Sequence, residues 1–93
     1  MCIVSIDTLM KGKTFPEAGA DLFDIISPAF DSDDKIILDM KDVDVLPSMF
    51  LNPSIGHLIK ERGKSVISKF SFRNVTKTQV ERIKMYIDKI EVI

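Results

Sequence analysis

Three short apolar runs along the chain predict β-strands. Residues 2–6 form a β-branched run that ends at Asp7. The continuous apolar run 36–38 follows a polar turn at 31–34, and its lack of alternation is typical of a strand covered on both faces in a parallel sheet. A third strand is predicted over 65–72. Its alternating side chains would be Val66, Phe70 and Phe72 on one face, with Ile67 on the other.

The segment between the first two strands predicts a helix. Thr14 followed three residues later by Glu17 has the form of a capping box, and Pro16 is tolerated in a first turn. Pro28 predicts that the helix ends near Ser27, because the residue before a proline avoids helical backbone angles. The buried stripe of this helix would be Phe15, Ala18, Leu22, Ile25 and Ile26.

A second helix is predicted before the third strand, with Gly63 as its stop. Two starts remain open. Either Ser48 caps a helix that bends at Asn52-Pro53, which we favour, or Asn52 is the cap and Pro53 is the first helical residue. The buried stripe would be Leu51, Ile55, Leu58 and Ile59.

A last helix begins around 76–78, with Thr78 and Glu81 as a second capping box, and residues 90–93 either fray or add a short strand. The order strand-helix, repeated three times, implies parallel pairing through right-handed crossovers. The predicted class is therefore α/β, with a mainly parallel sheet of three to four strands covered by three helices. The stripe of the last helix would be Val80, Ile83, Tyr86, Ile87 and Ile90.

The chain length of 93 residues fits a single domain that spans residues 1–93. Hydrophobic residues make up 45% of the chain and charged residues 29%, which is typical of globular proteins. The apolar runs are far shorter than the roughly 20 residues of a membrane span, and no basic region precedes an apolar one at the N-terminus. We therefore expect a cytoplasmic protein with no membrane contact.

Charge is distributed unevenly along the chain. Residues 1–50 carry ten acidic side chains and four lysines, whereas residues 51–93 carry nine basic and four acidic side chains. Either the two halves attract each other within the fold, which we favour, or the protein has a dipolar surface that steers a charged partner. The basic positions are spread over a helix end, a strand and a loop, so we expect no nucleic-acid partner.

The sequence offers little for catalysis or metal binding. Cys2 is the only cysteine and suits a small buried position. His57, the only histidine, follows Ser48 by nine residues, a separation of roughly 13 Å along a helix and beyond hydrogen-bond reach. The acidic run 31–34 lacks the downstream glycine and glutamate of a calcium loop. We expect no enzyme, cofactor or metal, unless the fold brings His57 beside Asp39, Ser48 or Cys2.

Ser48 is the position best suited to a switch. As a helix cap its hydroxyl stabilises the fold by about 1 kcal/mol. The same hydroxyl is suited to accept a phosphate, because the positive end of the helix dipole offsets the added charge. A phosphate there places about −1.5 to −2 charges beside Asp42 and Asp44 and alters any docking face nearby.

The segment 36–52 resembles the STAS domain (sulphate transporter and anti-sigma factor antagonist), and more closely the STAS-like domains of unknown function. An apolar strand ends in aspartate, a Val-containing loop follows, and a helix opens with the pattern Ser-x-Phe-Leu-Asn-x-x-Ile-Gly. Thr14-Phe15 and the segment 72–75 also fit, so that the resemblance covers roughly residues 11–90. The residues at the positions of the pattern are Ser48, Phe50, Leu51, Asn52, Ile55 and Gly56.

The resemblance implies a non-catalytic binding module. In anti-sigma factor antagonists, the start of this helix docks onto a kinase of the histidine-kinase-like ATPase fold, which phosphorylates the cap serine and dissociates. By position, Ser48 would be the phosphoacceptor. The antagonists commonly have Asp-Ser-Ser-Gly, whereas this chain has Pro47-Ser48-Met49-Phe50 and lacks the glycine and the second hydroxyl. The expected partner-binding residues are Asp39, Asp42, Asp44, Met49, Phe50 and Asn52.

Two functions therefore remain open. The first is a regulatory protein-interaction module that binds a histidine-kinase-like ATPase and is switched by a phosphate on Ser48. The second is a structural or oligomerising subunit without a phosphate switch, for which a homodimer is the expected form.

Overall fold

The computed structural model describes residues 2–32, 35–44 and 46–90. Three strands, β1 (Cys2–Ser5), β2 (Ile36–Asp39) and β3 (Phe70–Arg73), form one parallel sheet in the order β1-β2-β3. The predicted α/β class with a parallel sheet is confirmed. The predicted turn residues Asp33 and Asp34 and the segment 91–93 lie outside the described residues.

A short helix that the sequence pattern does not predict follows β1 directly. It is α1 (Ile6–Met10), and the Ser5 hydroxyl caps it by accepting a hydrogen bond from the Thr8 amide at 3.4 Å. Ile6 is fully buried. Asp7 therefore lies in the first turn of a helix, where its charge suits the helix dipole.

The first long helix, α2 (Phe15–Asp31), begins where the capping pattern predicts, with the Thr14 hydroxyl accepting from the Glu17 amide at 3.4 Å. Its predicted end near Ser27 is wrong, because Pro28 lies inside the helix. Ala29 is buried, and the Ser32 amide donates to the Pro28 carbonyl at 3.0 Å. Burial of this last turn thus outweighs the local preference against a proline in the helix interior.

The second long helix combines three segments that run on without a break: α3 (Ser48–Leu51), a π-helical turn (Asn52–Gly56) and α4 (His57–Arg62). We call them together the composite helix. The favoured helix start at Ser48 is confirmed, and Asn52 and Pro53 lie in a π turn, whose wider ring accommodates the proline. The predicted cap is wrong in detail, because Pro47 is the N-cap and Ser48 is the first helical residue. Gly63, with a φ of 92°, ends the helix as predicted.

Part of the predicted third strand is helical. A 3-10 helix (Lys64–Lys69) precedes β3, so the strand over 65–72 is wrong in its first five residues. The Ser68 hydroxyl donates to the Ser65 carbonyl at 2.9 Å, a local contact that an extended chain could not form. Val66 is still buried in the core, but from a helical turn instead of a strand.

The last helix, α5 (Lys77–Lys89), starts from a different cap than the pattern suggests. Thr76 and Gln79 form the capping box, with bonds of 3.1 and 2.9 Å between their side chains and each other's amides. Thr78 and Glu81, the predicted pair, are both exposed positions within the helix. Ile83 is buried as expected for the stripe.

The helices approach each other closely at two glycines. A Cβ at Gly19 of α2 would collide with the Phe50 carbonyl and the Pro53 ring, and one at Gly56 would collide with the Tyr86 hydroxyl of α5. The composite helix therefore lies between α2 and α5. Within the described ranges, none of the helices combines the length and apolarity of a membrane-crossing segment.

Among the described residues, helices cover one face of the sheet. On the other face, Ile3 is 49% exposed, Ile37 is half-buried and Ser71 is exposed. The expectation of a middle strand covered on both faces is therefore wrong. Strands in consecutive order that are joined by crossovers of one hand place their connecting helices on the same face. The strand residues of the covered face are Cys2, Val4, Ile36, Leu38, Phe70 and Phe72.

Candidate functional site

The candidate site lies where the strands end and the composite helix begins. The register aligns the last residues of the three strands, Ser5, Asp39 and Arg73, in one row. In parallel α/β sheets the chain leaves the strands at this carboxyl edge, and binding sites concentrate in the loops that follow. The residues that the sequence nominates lie at the end of β2, in the loop that follows and at the start of the composite helix.

Asp39 ties two of these loops together. Its carboxylate accepts hydrogen bonds from the Asn74 side-chain amide at 2.9 Å and from the Lys41 backbone amide at 3.0 Å. These bonds, and secondarily the charges of Arg73 and Lys41, hold the pKa of Asp39 below its ordinary value. Asp39 therefore stays ionised and serves the loop structure through its Oδ1 oxygen, and its expected role in partner binding stays a prediction.

The loop after β2 is fixed at both of its ends. Asp42 adopts a left-handed φ of 66°, which aspartate tolerates better than most residues, and the Val43 amide closes the turn onto the Met40 carbonyl at 3.0 Å. The Gln79 side-chain amide donates to the carbonyls of Val43 and, at 2.9 Å, of Asp44. The carboxylates of Asp42 and Asp44 are left exposed, with no partner in the described part of the chain.

Ser48 is exposed at the first position of the composite helix. Pro47 precedes it as the cap, and no hydrogen bond of the Ser48 hydroxyl is formed among the described residues. Met49 beside it is 60% exposed, a large apolar side chain in water. The hydroxyl has thus no capping task, and an apolar group stands next to it.

Two of the expected contact residues make contacts within the protein. Phe50 is fully buried in the core, so its side chain cannot reach a partner and its expected role as a contact is wrong. Helical periodicity explains this, because residues 50 and 51 fall on the covered side when 48 and 49 face water. Asn52 is exposed, but its side-chain oxygen accepts the Tyr86 hydroxyl at 2.5 Å and links the π turn to α5.

A comparison with protein-family models decides the family. The model of the STAS-like domain of unknown function matches residues 18–80, from α2 to the start of α5. The chain belongs to the STAS-like domains of unknown function. The family identified from the segment around Ser48 is therefore confirmed, and membership is consistent with a regulatory role. No curated protein and no solved structure gives a significant match.

The histidine of this STAS-like domain lies away from the site. The His57 ring stacks on Phe23 of α2 with centroids 4.1 Å apart, and its Nε2 is 3.7 Å from a carboxylate oxygen of Glu61. Neither partner is a serine or a cysteine. Across the ranges that the structure describes, no group of three His, Cys, Asp or Glu side chains is placed to hold a metal ion.

A small cleft opens beside the loop of this STAS-like domain. Its cavity volume is about 20 Å³, room for little more than a water molecule. This volume is too small for a cofactor. The residues that line it are Met40, Asp44, Leu46, Gln79, Arg82 and Ile83.

Three residues that shape the site are not among those that the sequence analysis nominates for it. Gln79 carries a usable signal, because Thr76-x-x-Gln79 is itself a capping-box pattern. Asn74 carries a weaker one, since asparagine favours left-handed turns. Tyr86 fits the buried stripe of α5, and nothing in its spacing reveals the bond to Asn52.

Proposed function

We propose that this STAS-like domain is a non-catalytic regulatory module that binds a protein partner through a docking face formed by Asp42, Asp44, Ser48 and Met49. The observation that carries the proposal is the exposed Ser48 hydroxyl, which opens the helix without capping it. A hydroxyl with no structural task can be modified without loss of a hydrogen bond in the fold.

The docking face combines an acidic loop with an apolar side chain. The exposed carboxylates of Asp42 and Asp44 suit a basic rim on the partner, and Met49 suits an apolar pocket. As the family resemblance implies, the proposed partner is an ATPase of the histidine-kinase-like fold. We place the interaction in the cytoplasm, where ATP is available to such a kinase.

The proposed switch is phosphorylation of Ser48 by that ATPase. The Ser48 oxygen bonds to the γ-phosphorus of ATP as the bond to the β-phosphate oxygen breaks; ADP leaves, and the hydroxyl proton passes to a base of the kinase. The fold tolerates the product, because the phosphate lies at the positive end of the helix dipole. On the docking face it adds about −1.5 to −2 charges beside Met49, which disfavours an apolar contact and releases the partner.

The test is binding to a purified ATPase of the histidine-kinase-like fold from the same organism, measured by isothermal titration calorimetry. Ser48→Asp is expected to weaken binding about tenfold or more, equivalent to about 1.4 kcal/mol, whereas Ser48→Ala leaves it unchanged. Ser71→Asp is the matched control, because Ser71 is an exposed serine on the opposite sheet face. With ATP present, mass spectrometry is expected to find the phosphate on Ser48.

Each contrary outcome refutes a stated part of the proposal. Equal binding by the wild type and Ser48→Asp, or a phosphate on another residue, would refute the switch. If the wild type does not bind the ATPase, the proposed partner is wrong.

A further inference from the structure

The strand β1 has an edge without a partner strand among the described residues. Along its other edge it pairs with β2, and the Cys2 amide donates to the Lys35 carbonyl at 2.8 Å. In a parallel ladder, alternate residues direct both backbone groups to the same neighbour. The amide and carbonyl of Ile3 therefore point away from β2, toward solvent.

This edge lacks the charges and prolines that commonly prevent strand pairing. The segment Cys2–Ser5 contains no charged residue and no proline, and the Ile3 side chain is 49% exposed. Natural edge strands are usually protected by charges, prolines or bulges. The opposite edge strand, β3, ends in the exposed Arg73 and fits that rule. The β1 edge is thus the one suited to pairing.

We propose that β1 pairs antiparallel with β1 of a second copy of this chain, about a two-fold axis at Ile3. The Ile3 amide of each copy donates to the carbonyl of Ile3 of the partner subunit, which joins the two sheets into one of six strands. Ile3 directs its backbone amide and carbonyl outward and has strand residues before and after it in the sequence. Ser5 is the last residue of the strand, because α1 begins at Ile6. The proposal does not depend on the proposed function.

The β1 edge is complementary to a second copy of itself in the antiparallel orientation, because the outward amide and carbonyl of Ile3 match the carbonyl and amide of Ile3 of the partner subunit. Because β1 itself is uncharged, two copies approach without repulsion, and a two-fold axis satisfies the same groups on both.

Disulfide cross-linking tests the register. In a Cys2→Ser background, Ile3→Cys places two thiols in a hydrogen-bonded antiparallel pair with Cα atoms about 5.5 Å apart, within disulfide range. Ser5→Cys is the matched control on the same strand and sheet face, where the proposed register separates the two Cα atoms by roughly 14 Å. Under mild oxidation, Ile3→Cys is expected to form a dimer about tenfold faster than Ser5→Cys. This difference in rate is expected to disappear in concentrated urea.

Light scattering tests the same edge without cysteines. Ile3→Lys is expected to weaken the dimer about tenfold, because two charges meet at the axis, whereas Ser71→Lys on β3 leaves it unchanged; circular dichroism checks that both variants fold. Equal cross-linking at both positions, cross-linking at neither, or a wild type that stays monomeric would overturn the proposal. Ser48→Asp is expected to keep the dimer, which separates this outcome from that of the proposed switch.

Discussion

Asn74 has two roles at the carboxyl edge of the sheet. It adopts a left-handed φ of 56°, and its side-chain amide donates to Asp39 at 2.9 Å. The first role concerns the backbone and the second the loop after β2. Substitutions can separate them, because glycine retains the backbone freedom and alanine does not.

We predict that Asn74→Ala destabilises the protein about 1 kcal/mol more than Asn74→Gly does. Both variants lose the bond to Asp39, but only alanine must adopt a left-handed backbone with a Cβ. The free energies of unfolding in urea measure the difference. Equal values for the two variants would show that the backbone conformation of Asn74 is not strained for alanine.

Asn74 also affects how the stability of the fold depends on pH, through its hydrogen bond to Asp39. Asp39 has a lower pKa in the folded than in the unfolded protein, so its contribution to stability is present above the unfolded pKa of about 3.9 and is lost as the pH falls through the folded value. Asn74→Gly removes the largest cause of that shift. Its stability is expected to fall less steeply than that of the wild type below about pH 4.

At the scale of elements, the start of α5 shows how a cap is chosen. Thr76 and Thr78 both precede apolar residues of the stripe, and each has a Gln or Glu three residues later. Gln79 decides between them, because its side chain also binds the loop carbonyls of Val43 and Asp44. A long-range contact thus selects one of two local patterns.

We predict that Thr76→Ala lowers the free energy of unfolding by about 1 kcal/mol, since it removes the capping hydrogen bond to Gln79. Thr78→Ala is the matched control: the same substitution on an exposed residue of the first turn, expected to change stability by less than about 0.5 kcal/mol. Thermal or urea unfolding measures both. A larger loss from Thr78→Ala would mean that the helix starts two residues later.

The two prolines within helices also show that tertiary contacts can override a local preference. Pro28 lies inside α2 and Pro53 inside the π turn of the composite helix, and both segments contribute buried residues such as Ala29 and Ile55. Each missing amide costs a backbone hydrogen bond. Burial of the surrounding apolar residues outweighs this cost, so both helices continue past the proline.

At the scale of the whole molecule, the acidic residues 1–50 and the basic residues 51–93 contact each other. Arg62 of the basic half pairs with Asp31 of the acidic half at 3.0 Å, which supports the expected attraction between the halves. Such an exposed pair contributes little stability. The docking face lies in the loop after β2 and at the start of the composite helix, and β1 carries the proposed dimer edge, so a dimer leaves Ser48 available to a partner.

We predict that Met49→Lys weakens binding to the ATPase about tenfold, because the charge would replace an apolar contact. Met85→Lys is the matched control, since Met85 is 57% exposed on α5 and Met49 is 60% exposed. Both variants are expected to keep the stability of the wild type within about 0.5 kcal/mol. Calorimetry compares the affinities, and an equal loss for both variants would mean that the docking face is misplaced.

The sequence by itself determined the class of the fold, the Thr14 cap, the Gly63 stop and most of the buried stripes. These features depend on periodicity and on contacts within one turn of helix, which are written in neighbouring residues. Only the tertiary structure decided the course of α2 past Pro28, the 3-10 turn before β3 and the burial of Phe50. It also decided which face of the sheet stays open. These outcomes depend on packing between segments that are distant in sequence, and no local pattern encodes that packing.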